Sequence, residues 1–227
     1  MSSLHFLVMF LFFSAIDEQQ IEQRMELLEE KSNALQEAES IVEKELFFLE
    51  DSDEVVFDLN YQTWLEARET AKHLYDDSNE NFKMEWGVFL AHQAKKREID
   101  PFLIFELLRV ETGDTFDPSL VGPETRYGKA YGMGQFMKNT GPWIAEKADL
   151  PYEDDLLFNP FYSIQLSVLY LDYLYDKYDD WDHALTAYHR GMGGLQAYIK
   201  DNGDAKSWYA VEIQENADNQ ESAVAYQ

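Results

Sequence analysis

The sequence contains no cysteine among its 227 residues. Disulfide bonds, zinc–thiolate sites and a lipid-modified N-terminal cysteine are therefore excluded for this sequence. The five histidines show no metal-ligand spacing such as HExxH, and no phosphate loop of the GxGxxG or GxxxxGKS/T type is present. The common metal and nucleotide motifs are missing, so any chemistry has to come from other residues.

Basic residues are scarce. The chain has 18 lysines and arginines against 44 aspartates and glutamates, which gives a net charge of −26. Residues 1–80 hold 20 of the acidic and 5 of the basic residues, and residues 81–227 hold 24 and 13. Because no basic stripe exists, the sequence argues against nucleic-acid binding and against electrostatic docking on anionic lipid. The acidity favours solubility and repels polyanions.

Strict β alternation is nearly absent, whereas hydrophobic residues make up 45% of the chain and aromatic residues 15%. That composition is ample for a globular core, and the length allows one medium domain plus an appendage. Helical periodicity and breakers predict an all-α fold. The predicted helices cover residues 61–76, 83–98, 101–112, 136–147, 161–178, 181–190 and 193–200, with loops at 113–131 and 148–160.

Four segments are predicted along the chain. Residues 1–16 contain an apolar run that is short for a membrane span, and we interpret it as a signal-like or membrane-anchor segment. No Lys or Arg precedes that run and no A-x-A site follows it, so a buried N-terminal helix is the alternative. Residues 17–81 are predicted to form an acidic helical stalk, 82–212 a compact domain, and 213–227 a loose polar tail.

The stalk shows near-heptad spacing of apolar residues over 17–50, at Ile21, Met25, Leu28, Leu35, Val42, Leu46 and Leu49. Ser32 and Glu39 interrupt this spacing, so a long coiled coil is not assured. Self-association or binding of a partner through this helix is therefore an expectation. The alternative is a solvated charged helix.

One short helix carries a carboxylate on its apolar side. In DPFLIFELLRVETG, Asp100 is a good N-cap and Gly113 a good stop. Helical geometry places Glu111 inside the apolar arc and places Glu106 and Arg109 on the opposite, solvent-facing side. Glu111 is then a frayed end, a core acid paired with an arginine, or a general acid. An apolar face near a helix C-terminus raises a carboxyl pKa, as general acid catalysis near neutral pH requires.

Four short motifs follow one another along the chain, beginning with the pair Glu111-Thr112. The other three are Gly132-Met133-Gly134-Gln135, Ser163-Ile164…Ser167…Tyr170-Leu171 and Ala187-Tyr188-His189-Arg190-Gly191. Together the four motifs resemble those of the soluble lytic transglycosylase family, a branch of the lysozyme-like superfamily that cleaves peptidoglycan. Each motif is weak alone, but the order and spacing are specific, and the match covers somewhat more than half of the chain. The corresponding family pattern is E-S, then G-L-M-Q, then N-I…G…Y-L, then A-Y-N-x-G.

The resemblance implies a lysozyme-like domain that cuts the β-1,4 bond between N-acetylmuramic acid and N-acetylglucosamine without metal or cofactor. Glu111 would be the only catalytic acid and base, and the products would carry 1,6-anhydro ends. Tyr188 would hold the Glu111 carboxyl, while Thr112 and Gln135 would orient the sugars. His189 stands where the family has a substrate-contacting asparagine. Each residue also has a structural alternative, such as core packing for Tyr188 or a helix-end hydrogen bond for Gln135.

Other departures from the family pattern carry their own expectations. Gly134 replaces a methionine, which would widen the sugar site. Ser163 and Ser167 replace Asn and Gly, and we expect no chemical consequence from either.

Two other functions fit the same sequence. A muramidase would make the same cut with water and would need a second carboxylate, for which Asp114, Asp117 and Glu124 are candidates. A non-catalytic wall-binding component of a secretion, conjugation or phage machine is the other. Peptidoglycan strands are the expected partner in each case. The expected location is the cell envelope, with the protein secreted or anchored by residues 4–16, or else a phage particle.

Overall fold

The computed structural model describes residues 19–33, 35–36, 40 and 61–225. The predicted signal or anchor segment at 1–16 lies outside these residues, as does most of 37–60. Residues 19–33 form a helix, α1, whose side chains are all exposed. No helix in the described ranges is long and apolar enough to cross a membrane.

Helices dominate the described part of the chain from residue 61 onward, so the predicted all-α class is confirmed. A two-residue β-hairpin and a short 3-10 helix lie between them. The helices are α2 (Tyr61–Asp77), α3 (Met84–Lys95), α4 (Pro101–Thr112), α5 (Gly141–Lys147), α6 (Pro160–Tyr178), α7 (Trp181–Asn202) and α8 (Trp208–Ala225). The strands are β1 (Ala130–Tyr131) and β2 (Phe136–Met137), which pair antiparallel, and the 3-10 helix is Asp154–Phe158.

Local signals define α4 as predicted. The Asp100 carboxylate accepts a hydrogen bond from the Phe102 N–H at 2.9 Å, and the helix ends at Gly113, whose φ of 59° is left-handed. Two other predictions were wrong. Residues 136–147 begin as a strand, and 181–190 and 193–200 belong to one helix, α7, with a kink at Gly191 (φ 73°, ψ 160°).

The predicted boundary at residue 82 separates helices that pack together. α2 packs along α3 and buries Trp64 and Leu74 there. Close approach is possible because α3 has a glycine at the crossing: a Cβ on Gly87 would lie 2.8 Å from the Cα and Cβ of Ala71. Helix α2 therefore belongs to the packed body and is not part of an extended stalk.

The predicted loose tail at 213–227 is also wrong over most of its length. Helix α8 runs to Ala225 and buries Ile213 and Ala217 against α4. It covers the side of α4 that was expected to face solvent, so Glu106 is fully buried. The Gln220 side chain donates to Glu106 Oε1 at 3.0 Å, and Arg109 Nη1 lies 3.3 Å from the same oxygen. Burial raises the pKa of Glu106.

One continuous core joins these helices. It places the C-terminal end of α4 beside α6, α7 and α8, with the loop and hairpin between α4 and α5 lying over that end. The largest fully buried side chains are Tyr162, Tyr209, Phe82, Phe89, Phe105, Phe116, Leu74, Leu90, Ile104, Leu107 and Leu108.

The hairpin turn is fixed by a close backbone approach. A Cβ at Gly132 would lie 1.8 Å from the Leu157 carbonyl oxygen, and its φ is +72°. Only glycine fits this position.

Candidate active site

A cleft of about 1100 Å³ opens at the end of α4. Its lining comes from α4, the following loop, the hairpin, α6 and α7, which are distant in sequence. Glu111 is the residue that α4 contributes, and its side chain keeps partial access to solvent. The other described lining residues are Thr125, Arg126, Tyr127, Ala130, Gly134, Gln135, Phe136, Met137, Asn139, Thr140, Tyr170, Tyr188, His189, Arg190, Gly191, Gly194, Ala197, Tyr198, Asp201 and Asn202.

The Glu111 carboxyl is held by one tyrosine. The Tyr209 hydroxyl donates a hydrogen bond to Glu111 Oε1 at 2.7 Å, and Tyr209 is fully buried. Desolvation raises the pKa of Glu111 from 4.5 to about 7, and the bond from Tyr209 opposes part of that rise. The raised pKa expected from the helical wheel is therefore found, and Glu111 can hold or release a proton near neutral pH.

Sequence reasoning missed Tyr209. It lies 98 residues from Glu111, on α8. The sequence places the start of α8 at the end of the predicted domain and the rest of α8 in the predicted loose tail. His189 extends the cluster, since its ring stacks on Tyr209 at 4.6 Å with an interplanar angle of 25°. Desolvation of the stacked ring lowers the pKa of His189, and the nearby charge of Arg190 lowers it further.

Tyr188 lines the cleft but does not make its predicted bond to Glu111. Its hydroxyl donates to the Gly134 carbonyl at 3.1 Å and lies 3.2 Å from the Ser167 hydroxyl. Burial raises the pKa of Tyr188 well above its usual value, and the negative charge of Glu111 contributes to that rise. Tyr188 therefore lies near the Glu111 carboxyl but binds the hairpin turn. The hydrogen bond to Glu111 that was predicted for Tyr188 comes from Tyr209 instead.

The serines that replace family residues have a structural part. Ser163 Oγ accepts from the Gly134 N–H at 2.8 Å, and Ser167 Oγ lies beside the Tyr188 hydroxyl. Gly134 does not widen the site either, because a Cβ there would lie 2.4 Å from Phe136 and 2.5 Å from Ser167 Oγ. The Phe136 ring and the serine occupy the position where a longer side chain at 134 would begin.

The two predicted sugar-orienting residues differ in their placement. Gln135 lines the cleft, and its Nε2 donates to the Gly132 carbonyl at 2.7 Å, which braces the hairpin. Thr112 is buried and lies outside the lining. Its hydroxyl donates to the Leu108 carbonyl at 2.7 Å and accepts from the Phe116 N–H at 3.1 Å. Thr112 therefore closes the turn after α4.

None of the three carboxylates proposed as a water-activating partner lines the cleft. Asp114 Oδ1 lies 3.3 Å from Arg109 Nε, Asp117 accepts hydrogen bonds from Ser119, and Glu124 is exposed. The acidic residues among the described lining are Glu111 and Asp201. In the part of the chain that the structure describes, no group of three His, Asp or Glu side chains is placed to hold a metal ion.

A mainly helical body that presents a glutamate with a raised pKa in an open cleft has what general acid–base catalysis requires. The family model for the transglycosylase SLT domain matches residues 89–211, which is more than half of the chain. The chain therefore belongs to the transglycosylase SLT domain family, as the motifs predicted. All four motifs lie inside the matched residues, whereas α2 and the whole of the predicted tail lie outside them.

A solved structure shares this fold. It is an X-ray structure of an inactive Glu-to-Gln mutant of the lytic transglycosylase Slt from Pseudomonas aeruginosa, with a TM-score of 0.51 and 19% sequence identity. The match covers 69% of this chain and 30% of that chain, so this protein spans under a third of the length of that enzyme. No curated protein matches the chain.

Proposed function

We propose that this protein is a peptidoglycan lytic transglycosylase in which Glu111 is the only catalytic acid and base. The observation that carries the proposal is the Glu111 carboxyl itself. It lies in an open cleft, it has a pKa raised to about 7, and a buried tyrosine hydroxyl binds one of its oxygens. Membership of the transglycosylase SLT domain family supports the same reaction.

The reaction follows from the two protonation states of Glu111. The protonated carboxyl gives its proton to the glycosidic oxygen as the bond from that oxygen to C1 of N-acetylmuramic acid breaks. The 2-acetamido group of the substrate supports the cationic centre at C1. The carboxylate then takes the proton of the C6 hydroxyl, whose oxygen closes onto C1 and forms the 1,6-anhydro product. A pKa near 7 suits both steps, because the group must act first as acid and then as base.

Tyr209 has a defined part in this scheme. Its hydrogen bond engages Glu111 Oε1 and leaves Oε2 to carry the transferred proton. After transfer, the same bond stabilises the carboxylate. Tyr209 is thus proposed as the positioning residue for Glu111. The cleft-lining residues Gln135, Tyr188 and His189 are proposed to contact or shape the sugar site.

The placement of Asp114, Asp117 and Glu124 favours this reaction over a muramidase that uses one of them. Asp201 does line the cleft, and analysis of the product ends tests whether it activates water. A hydrolytic glycosidase needs a second carboxylate roughly 5 to 10 Å from the first to act on water or on C1. Asp114, Asp117 and Glu124 lie outside the cleft lining, and Asp114 pairs with Arg109. The matched Slt structure is of a Glu-to-Gln mutant described as inactive, so a glutamate is essential in that enzyme.

The deciding experiment is analysis of product ends by mass spectrometry after digestion of purified wall. Anhydro ends are one water lighter than the reducing ends a muramidase would leave. We expect anhydro ends from the wild type and at least about a hundredfold loss of activity in Glu111→Gln. Glu124→Gln, which changes an exposed loop glutamate, is the matched control. Reducing ends would establish a muramidase, and a folded wild type without activity on a wall zymogram would support the non-catalytic alternative.

The cell envelope is the proposed place of action, because peptidoglycan lies there. Export or anchoring through residues 4–16 is part of the proposal. Self-association through the helix predicted over residues 17–50 is proposed as well. It is supported by apolar side chains of α1 that are more than half exposed, namely Ile21, Met25 and Leu28.

A further inference from the structure

Two arginines in the cleft are arranged in the same way. The Arg126 guanidinium lies 4.5 Å from the centre of the Tyr127 ring, and the Arg190 guanidinium lies 4.7 Å from that of Tyr198. All four residues line the cleft. One pair comes from the loop after α4 and the other from α7, so two separate elements present the same group to the same space.

Both arginines lack an acidic partner despite the excess of acid in this protein. The chain carries 44 acidic residues against 18 basic ones, and Arg97 and Arg109 each pair with a carboxylate, Asp172 and Glu106, at 3.2 and 3.3 Å. Among the residues that the structure describes, no carboxylate lies within 4.0 Å of the Arg126 or Arg190 guanidinium. Their donors are therefore available to a ligand.

The tyrosine rings determine how a ligand can approach. Each ring covers one face of a guanidinium by a cation–π contact, which orders the side chain and leaves its N–H edge free. That edge matches a carboxylate, which it can bind through two parallel hydrogen bonds. The cleft itself offers only the two acids Glu111 and Asp201 among its described lining residues.

We propose that Arg126 and Arg190 form a subsite for carboxylates carried by the glycan strand. This inference rests on the proposed function, since the strand is the ligand of the same cleft. On such a strand the carboxylate belongs either to the lactyl ether of the muramyl sugar or to the peptide attached to it. The subsite makes the protein prefer an anionic strand over a neutral one, which its overall charge of −26 would not suggest.

The test compares two soluble strands of equal size. One carries its carboxylates, and the other has been amidated with a carbodiimide and ammonia. We expect the wild type to cleave the anionic strand with a kcat/KM roughly tenfold higher, because each exposed ion pair supplies up to about fivefold. The preference should weaken as salt is added. The double variant Arg126→Gln/Arg190→Gln should lose it.

Arg68→Gln is the matched control, because Arg68 also lies over an aromatic ring, at 5.3 Å from the centre of Trp64, but stands on α2 outside the cleft lining. It should keep the preference. A double variant that still prefers the anionic strand overturns the subsite. So does a double variant that loses the same factor on both strands, since that outcome reports a structural effect.

Binding separates this inference from the proposed function. Dissociation constants of both strands measured by calorimetry on Glu111→Gln should show the same preference even if the wild type cleaves neither strand. Equal affinities there overturn the subsite. An amidase hydrolyses the amide that joins each peptide to its lactyl group, so the freed strand carries its carboxylates on the lactyl groups alone. If the arginine substitutions weaken binding of this strand as much as binding of the peptide-bearing strand, the lactyl carboxylate is the ligand. If they leave binding of this strand unchanged, the peptide carboxylate is the ligand.

Discussion

The stability of the folded chain should depend on pH through Glu111, and Glu111→Gln should remove that dependence. Folding raises the pKa of Glu111 from 4.5 to about 7, so the native state holds a proton that the unfolded chain releases. The stabilisation from this proton is complete below pH 4.5 and is lost as pH rises through about 7. Glutamine keeps the shape of the side chain and an oxygen that can accept the Tyr209 hydrogen bond, but it does not titrate.

The size of the effect follows from the two pKa values. A difference of about 2.5 between the folded and unfolded states corresponds to about 3 kcal/mol of unfolding free energy, of which about 2.5 kcal/mol is lost between pH 5 and pH 8. For a chain of this size, that is roughly 5 to 10 °C in Tm. The Tm of Glu111→Gln minus the Tm of the wild type should therefore be higher at pH 8 than at pH 5 by that amount.

Thermal melts followed by circular dichroism at the two pH values make the measurement. Asp100, Glu106 and Asp172 also have raised pKa values, but they are present in both proteins and cancel in the comparison. Glu124→Gln, an exposed substitution, should show the same gap at both pH values. If the gap for Glu111→Gln is equal at pH 5 and pH 8, the carboxyl is not desolvated in the folded protein and the argument for a general acid fails.

Three further outcomes are expected. Tyr209→Phe removes the bond that lowers the pKa of Glu111, so kcat/KM should fall about tenfold. In this variant the rate should also begin to fall at a higher pH than in the wild type. A pH–rate profile that falls at the same pH in both proteins would contradict the positioning role of Tyr209. A fragment of residues 61–225 should melt cooperatively, whereas a fragment of residues 82–212 should not. Burial of Trp64 and of Leu74 contributes about 1.5 to 3 kcal/mol each, out of a total unfolding free energy of about 5 to 15 kcal/mol. Equal melting temperatures would show that α2 and the part of α8 after residue 212 are both dispensable. Gln220→Ala removes an amide that donates both to the buried Glu106 carboxyl and to Asp77, so urea unfolding should show a loss of about 1 to 3 kcal/mol. The exposed neighbour Glu221→Ala should lose much less, and equal losses would refute the assigned bond.

The features that sequence alone determined are those set by nearby residues. The bounds of α4 follow from the Asp100 cap and the Gly113 stop, and the position of Glu111 at its end follows from helical periodicity. The order of the four motifs was enough to identify the family, because it records residue identities and needs no contact geometry. These inferences hold because capping and periodicity act within a few residues of one another.

Several features that only the tertiary structure decided depend on the position of α8. The polar composition of 213–227 predicted a loose tail, yet Ile213, Ala217 and Gln220 form a stripe at spacings of four and three residues, which packs on α4. Periodicity shows which face of a helix is apolar, but it cannot show whether a second helix will also cover the polar face. The burial of Glu106 and the bond from Tyr209 to Glu111 both depend on that covering helix. Contacts across about a hundred residues arise from packing the whole core and leave no local pattern to read.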